Sequence, residues 1–292
     1  QVSPELEESC NGRDDDCDGT LDEGCDTACA AAPFEDLAEL GDQPAPSVGL
    51  AVRGGDPAAC IVRQEPAGDG GSHVWLERGG PPWRGDPLEE DEGASLVPVA
   101  ARVGDTCAGV WRDERGETAG LRYGARSASD GSPLRLDVDL GVGPEPTAPS
   151  LARTGDGLAL GFTGGENPRA SWTRLTVEGA RLHAAEPLGP FDPDAVGPGS
   201  VAVSPRLDGP GSVVAHLDPE GDGAAVRVEL RDRQGGVDAG PALVEPAAPG
   251  REEVAVTATE DGYLVAWSEP PTAGSPREIH LRPLDAELAP LA

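Results

Sequence analysis

The sequence predicts an all-β chain in which residues 46–292 form a five-bladed β-propeller. Residues 1–32 form a small disulfide-rich, metal-binding module, and 33–45 are the linker between the two. Three observations carry this reading. A unit of roughly fifty residues recurs five times, at the upper end of the period of propeller blades. The 292 residues include 41 Gly and 30 Pro but only 3% aromatics, a balance that favours turns and short strands over long helices. Four of the six cysteines fall at positions 10, 17, 25 and 29, in a stretch too poor in apolar side chains to own a core.

The repeat is explicit in the second strand of each unit. GYLVAWSEP at 262–270, GSVVAHLDP at 211–219 and GLALGFTGG at 157–165 align without gaps. TCAGVWRDE at 106–114 joins them, and ACIVRQEP at 59–66 is a looser copy. Each copy follows a small apolar strand and a Gly/Asp turn: LAVRGGD, VAARVGD, LARTGDG, SPRLDGPG and TATEDGY. An alternating strand comes next (HVWLER, GLRYGAR, ASWTRLTV, AVRVELRD, REIHLRPL), and GARLHAAEP, GVDAGPALV and DAELAPLA read as closing strands. The units are 46–93, 94–144, 145–194, 195–247 and 248–292. Four-stranded units of this kind bury their faces by stacking around an axis. A β-sandwich of similar strands is the competing architecture. The last unit ends on its own outer strand, so closure is expected from face packing or from residues 34–42 adding an edge.

Trp111, Phe162, His216 and Trp267 occupy one aligned position, which reads as an inter-blade packing site with His216 as a tolerated substitute. Cys60 and Cys107 fall in the second strands of the first two units, one residue out of register. They are expected to form a disulfide between these blades, with two buried free thiols as the alternative. Asp56, Asp105, Asp156, Asp208 and Asp261 sit in turns beside Gly or Pro, where a carboxylate sets the turn. The acidic stretches 88–93 and 215–223 read as solvated loops.

The N-terminal module is organised around Cys10–Cys25, CNGRDDDCDGTLDEGC. Alternating carboxylates followed by a glycine turn their oxygens to one centre, a hard-ligand set that suits Ca²⁺. The candidate ligands are Asn11, Asp14, Asp16, Asp18, Thr20, Asp22 and Glu23. The D-x-D-x-D-G core matches the first half of an EF-hand loop, but the twelfth position is Cys25. Proximity favours pairing of Cys10, Cys17, Cys25 and Cys29 among themselves. Zinc is the weaker reading, since the cluster has neither a CxxC pair nor a nearby His. Asp14 to Asp22 resemble the calcium-binding repeat of the thrombospondin type 3 kind. The whole stretch resembles the MopE-type metal-binding motif of secreted myxobacterial proteins, CNGxDDDCDGxxDEGC. That resemblance implies a metal ion. The absence of Met from the chain and of His from the motif favours a hard cation over copper.

A net charge of −31 with no lysine repels phosphate backbones and anionic lipid heads, which argues against nucleic-acid and membrane-surface binding. No apolar run is long enough to span a bilayer. Clustered cysteines point to an oxidising compartment, hence a secreted protein or one on the outer surface of a Gram-negative bacterium. None of His73, His183, His216 and His280 lies in a nucleophile motif. The sequence therefore leads to a non-enzymatic, calcium-binding extracellular protein with a binding, adhesion or assembly role. Its partner would be a protein, a glycan or further copies of itself. The second reading is a carbohydrate-active propeller, lectin or glycoside hydrolase, with a carboxylate pair near the axis. Trp75, Trp83, Trp172, Tyr123 and Tyr263 are the aromatics left over for a sugar platform.

Overall fold

The computed structural model describes residues 48–53, 56–66, 72–79, 84–88, 95–115, 119–142, 146–155, 157–164, 169–188, 200–270 and 276–291. The candidate metal ligands from Asn11 to Glu23, the cysteines at 10, 17, 25 and 29, and the segment 34–42 lie outside these residues.

The chain from Pro46 is a five-bladed propeller of consecutive antiparallel sheets, each paired in sequence order. Blade one contains β1 (Val48–Arg53), β2 (Asp56–Pro66), β3 (Ser72–Gly79) and β4 (Arg84–Pro87). Blade two contains β5 (Ser95–Val103), β6 (Thr106–Asp113), β7 (Gly120–Ser127) and β8 (Pro133–Asp139). Blade three contains β9 (Thr147–Thr154), β10 (Gly157–Gly164), β11 (Arg169–Leu175) and a two-residue β12 (Glu186–Pro187). Blade four contains β13 (Val201–Pro205), β14 (Ser212–Glu220), β15 (Gly223–Arg231) and β16 (Val237–Ala248). Blade five contains β17 (Glu253–Ala258), β18 (Gly262–Glu269) and β19 (Glu278–Asp285). Its expected fourth strand is reduced to a single bridge, Leu284↔Pro290, because the chain turns at 285–289 and pairs only briefly. The stretch 215–223 is likewise no loop: it is the end of β14 and its tight turn into β15. Among the described residues no helix is long and apolar enough to cross a membrane.

Successive inner strands β1, β5, β9, β13 and β17 lie side by side. From the third blade on, serine hydroxyls bind each inner strand to the next. Ser150 Oγ accepts from Val203 N (3.0 Å), Ser200 Oγ from Val254 N (2.9 Å) and Ser204 Oγ from Ala258 N (3.2 Å). The core consists of four inter-blade clusters. The aligned aromatic position joins the core shared with the preceding blade: Trp111 clusters with Val62 and Leu76, Phe162 with Val110 and Tyr123, and Trp267 with Val226 and Val228. His216 occupies this position in blade four and is 1% exposed.

Cys60 and Cys107 form the expected disulfide, with Cα atoms 5.7 Å apart. Their one-residue offset has a simple reason. Cys60 must face forward from blade one and Cys107 backward from blade two, and in a strand a shift of one residue exchanges the faces.

Candidate functional site

Each inner strand begins on the face of the propeller that also carries the connections between blades. On this face a cavity of about 440 Å³ opens along the axis, a size suited to a small ligand. Its walls come from the first residues of β5, β9, β13 and β17 and from the adjoining surface of β18 and β19. Val201, Val203, Val254 and Val256 make it largely apolar. No Arg or His is among its described lining residues, and Glu253 is the only carboxylate there.

Glu253 owes its place to the β17–β18 hairpin. Thr259 N bonds to Gly262 O at 2.9 Å in the turn, and Ala258↔Tyr263 is the closing pair. A side chain at Gly262 would come within 2.0 Å of Leu284 O, so only glycine fits this turn. Counting back from that pair sets Glu253 opposite Ser268, and the β18–β19 register sets Ser268 opposite Ile279. A carboxylate, a hydroxyl and an aliphatic side chain therefore form one row across a single face of blade five. All three line the cavity. Glu253 is exposed, Ser268 is 4% exposed and Ile279 is 68% exposed. Ser150 and Ser200 also line the cavity, but both hydroxyls already accept backbone N–H groups. The buried Ser268 Oγ has no hydrogen-bond partner among the described residues.

The alternate residues of β18 and β19 carry a second set of polar groups beside this row, and Trp267 among them also lines the cavity. Glu269 accepts from Arg251 Nε at 2.5 Å and from Trp267 Nε1 at 3.1 Å, and its other oxygen lies 3.6 Å from His280 Nε2. Trp267 stacks on His280 with ring centroids 5.5 Å apart. Burial raises the Glu269 carboxyl, but Arg251, Trp267 and His280 together more than offset it and hold it below the usual carboxylate range. Glu269 is thus a fixed anion that braces Trp267. Arg251 also donates to Ala224 O of blade four at 2.9 Å, which ties blade five to its neighbour.

Three of the aromatics left over in the sequence are engaged elsewhere. Trp172 is fully buried beneath Arg231 and His183, Tyr123 donates to Val177 O of blade three, and Tyr263 is buried in the core between blades four and five. Trp83 lies outside the described residues. Asp218 is buried in β14 and pairs with Arg227 at 2.6 Å. Its desolvation outweighs that ion pair and keeps the carboxyl above its ordinary range. Among the described residues no group of three or more His, Cys, Asp or Glu side chains could hold a metal ion.

No protein-family model and no curated protein matches the chain. Solved structures of similar fold are found. A GH43 enzyme from Xanthomonas citri in complex with xylotriose is 12% identical, with 84% of this chain and 89% of that one covered and a TM-score of 0.46. A GH43 β-xylosidase/α-arabinofuranosidase from a compost microbial metagenome is 10% identical, with coverage of 85% and 93% and a TM-score of 0.47. A GH43 endo-arabinanase from Bacillus licheniformis is 11% identical, with coverage of 85% and 96% and a TM-score of 0.40. Their activities belong to those proteins, and the fold of this chain rests on its own five sheets. The expectation of a non-enzymatic binding or assembly role is nonetheless corrected. The solved structures of similar fold are described as GH43 enzymes, which agrees with the second reading of the sequence, a carbohydrate-active propeller, and not with its main one.

Proposed function

We propose that this chain is a carbohydrate-active propeller that takes a saccharide in its axial cavity, with glycoside hydrolysis as the reaction and Glu253 as one of its two carboxylates. The observation that carries this reading is the row Glu253, Ser268, Ile279. An exposed carboxylate accepts hydrogen bonds from sugar hydroxyls and an aliphatic side chain covers the C–H face of the ring, while the partnerless serine hydroxyl, buried in the wall between them, is reached when the bound sugar opens that wall. Hydrolysis needs one carboxyl group to protonate the glycosidic oxygen and another to activate water or attack carbon. Glu269 does not serve as the acid, because its partners keep it ionised. Glu253 is the one carboxylate among the cavity's described lining residues, and it is the one this reading assigns. A buried disulfide fits a secreted or outer-surface location. The N-terminal motif supports a bound Ca²⁺ in the module that precedes the propeller.

The test is to offer xylotriose, arabinotriose and cellotriose to the full chain, following binding by calorimetry and shorter sugars by chromatography. The wild type should bind at least one of them and release shorter sugars. Glu253→Gln should release none and bind at least tenfold more weakly, as the loss of a charged hydrogen-bonding partner implies. Binding without cleavage would remove the hydrolytic part of the reading. A wild type that neither binds nor cleaves any of the three would overturn it altogether.

A further inference from the structure

Among the described residues, three that are not glycine adopt positive φ: Val97 at 51°, Asp137 at 52° and Leu288 at 69°. Two are explained by their contacts. The Asp137 carboxylate accepts from Arg115 at 2.7 Å, and its carbonyl accepts from Arg122 at 3.1 Å. Leu288 is buried in the core of blades four and five, in a turn closed by its own N–H to Asp285 O. Val97 has no such compensation among the described residues. It is β-branched, the kind of side chain that tolerates a left-handed backbone least, and it is 41% exposed.

Its position supplies the reason that its packing does not. The pairing of β5 with β6 slips between Leu96 and Val99, and such a bulge re-aims a side chain. Val97 lines the axial cavity together with Glu253. Strained backbone conformations persist where the surroundings hold them, and they gather at ligand sites. We propose that Val97 is a specificity-determining residue of the axial cavity, held there by the bulge as an apolar wall that limits the size of the sugar unit the cavity takes. This inference rests on the saccharide reading of the cavity.

A xylose unit lacks the hydroxymethyl group that a glucose unit carries, so xylotriose and cellotriose measure the room at this wall. Val97→Ala should shift the ratio of the two affinities about tenfold toward cellotriose, the discrimination typical of one small apolar group. Val97→Gly should give the same shift and also melt above the wild type, since glycine adopts positive φ without penalty. A structural role alone would weaken both sugars in proportion. If the wild type binds a sugar but neither variant changes the ratio, or if Val97→Gly melts below the wild type, the role of Val97 is overturned and the saccharide reading stands. If the wild type binds neither xylotriose nor cellotriose, the role of Val97 is overturned, and the saccharide reading falls with it only if arabinotriose is not bound or cleaved either.

Discussion

Glu253 and Ser268 stand directly opposite each other on β17 and β18, one exposed at the mouth of the axial cavity and the other buried in its wall. A buried hydroxyl without a partner is a liability in a fold unless something arrives to bond it.

Ser268→Ala should therefore separate stability from binding. Loss of the unpartnered oxygen should leave the melting temperature unchanged or raise stability by about 1 kcal/mol. Saccharide affinity should fall about tenfold. Thermal unfolding and calorimetry on the same preparation check both. A variant that loses stability as well would show that the hydroxyl has a structural partner.

His216 gives the propeller an acid-sensitive seam. Among the described residues both ring nitrogens lack hydrogen bonds, and the buried side chain has Arg227 and Arg231 as its charged surroundings. Burial, followed by the Arg227 and Arg231 charges, lowers its pKa from the ordinary 6.5 to about 4. The fold thus holds the neutral imidazole. This contribution is complete above pH 6.5 and disappears as the pH falls through 4, about 3 kcal/mol in all. His216→Phe places at this site the residue that blade three already carries as Phe162. It should flatten the loss of stability between pH 6.5 and 4 and raise stability at pH 5. Urea unfolding at several pH values measures this, and an unchanged slope would remove His216 as the cause.

The blades were legible because the repeat was. Gapless alignment of the second strands, with a Gly/Asp turn before each, fixed five units whose boundaries match the sheets. The aligned aromatic also kept its expected role, since a side chain at one register in every blade must meet the preceding blade. The site was less legible. Glu253 is one of 53 acidic residues, and nothing in REEVAVT distinguishes it from a solvated strand end. The available signal was the hairpin itself: once the turn before Tyr263 is placed, counting outward pairs residue 253 with 268. The strain at Val97 had no sequence signal, because a bulge is a property of two paired strands.

The Cys60–Cys107 disulfide joins β2 and β6 across 47 residues of chain, with both cysteines fully buried. Closing a loop of that length restrains the unfolded chain by about 4 kcal/mol in the chain-entropy model. Replacing both cysteines with alanine should lower unfolding free energy by roughly that amount, with equilibrium denaturation as the measurement. The loss should centre on blade one, which the bridge ties to blade two beside Trp111. Amide exchange should show β1–β4 opening first, and uniform loss of protection in all blades would mean that the propeller unfolds as one unit.

The acidic N-terminal motif predicts a cation site that acts apart from the axial cavity. Asp16→Asn with Asp18→Asn keeps the shape of both side chains but removes two negative charges from the candidate ligand set, so Ca²⁺ should lose its strongest partners. Calcium titration by calorimetry should find a site in the wild type and none in the double variant. The β signal in circular dichroism should be equal in both, because Asp16 and Asp18 belong to none of the strands of the five blades. Chelator should abolish an early, minor melting transition in the wild type and leave the main one in place. If chelator or the double substitution unfolded the whole chain, the metal module would be part of the propeller's own stability.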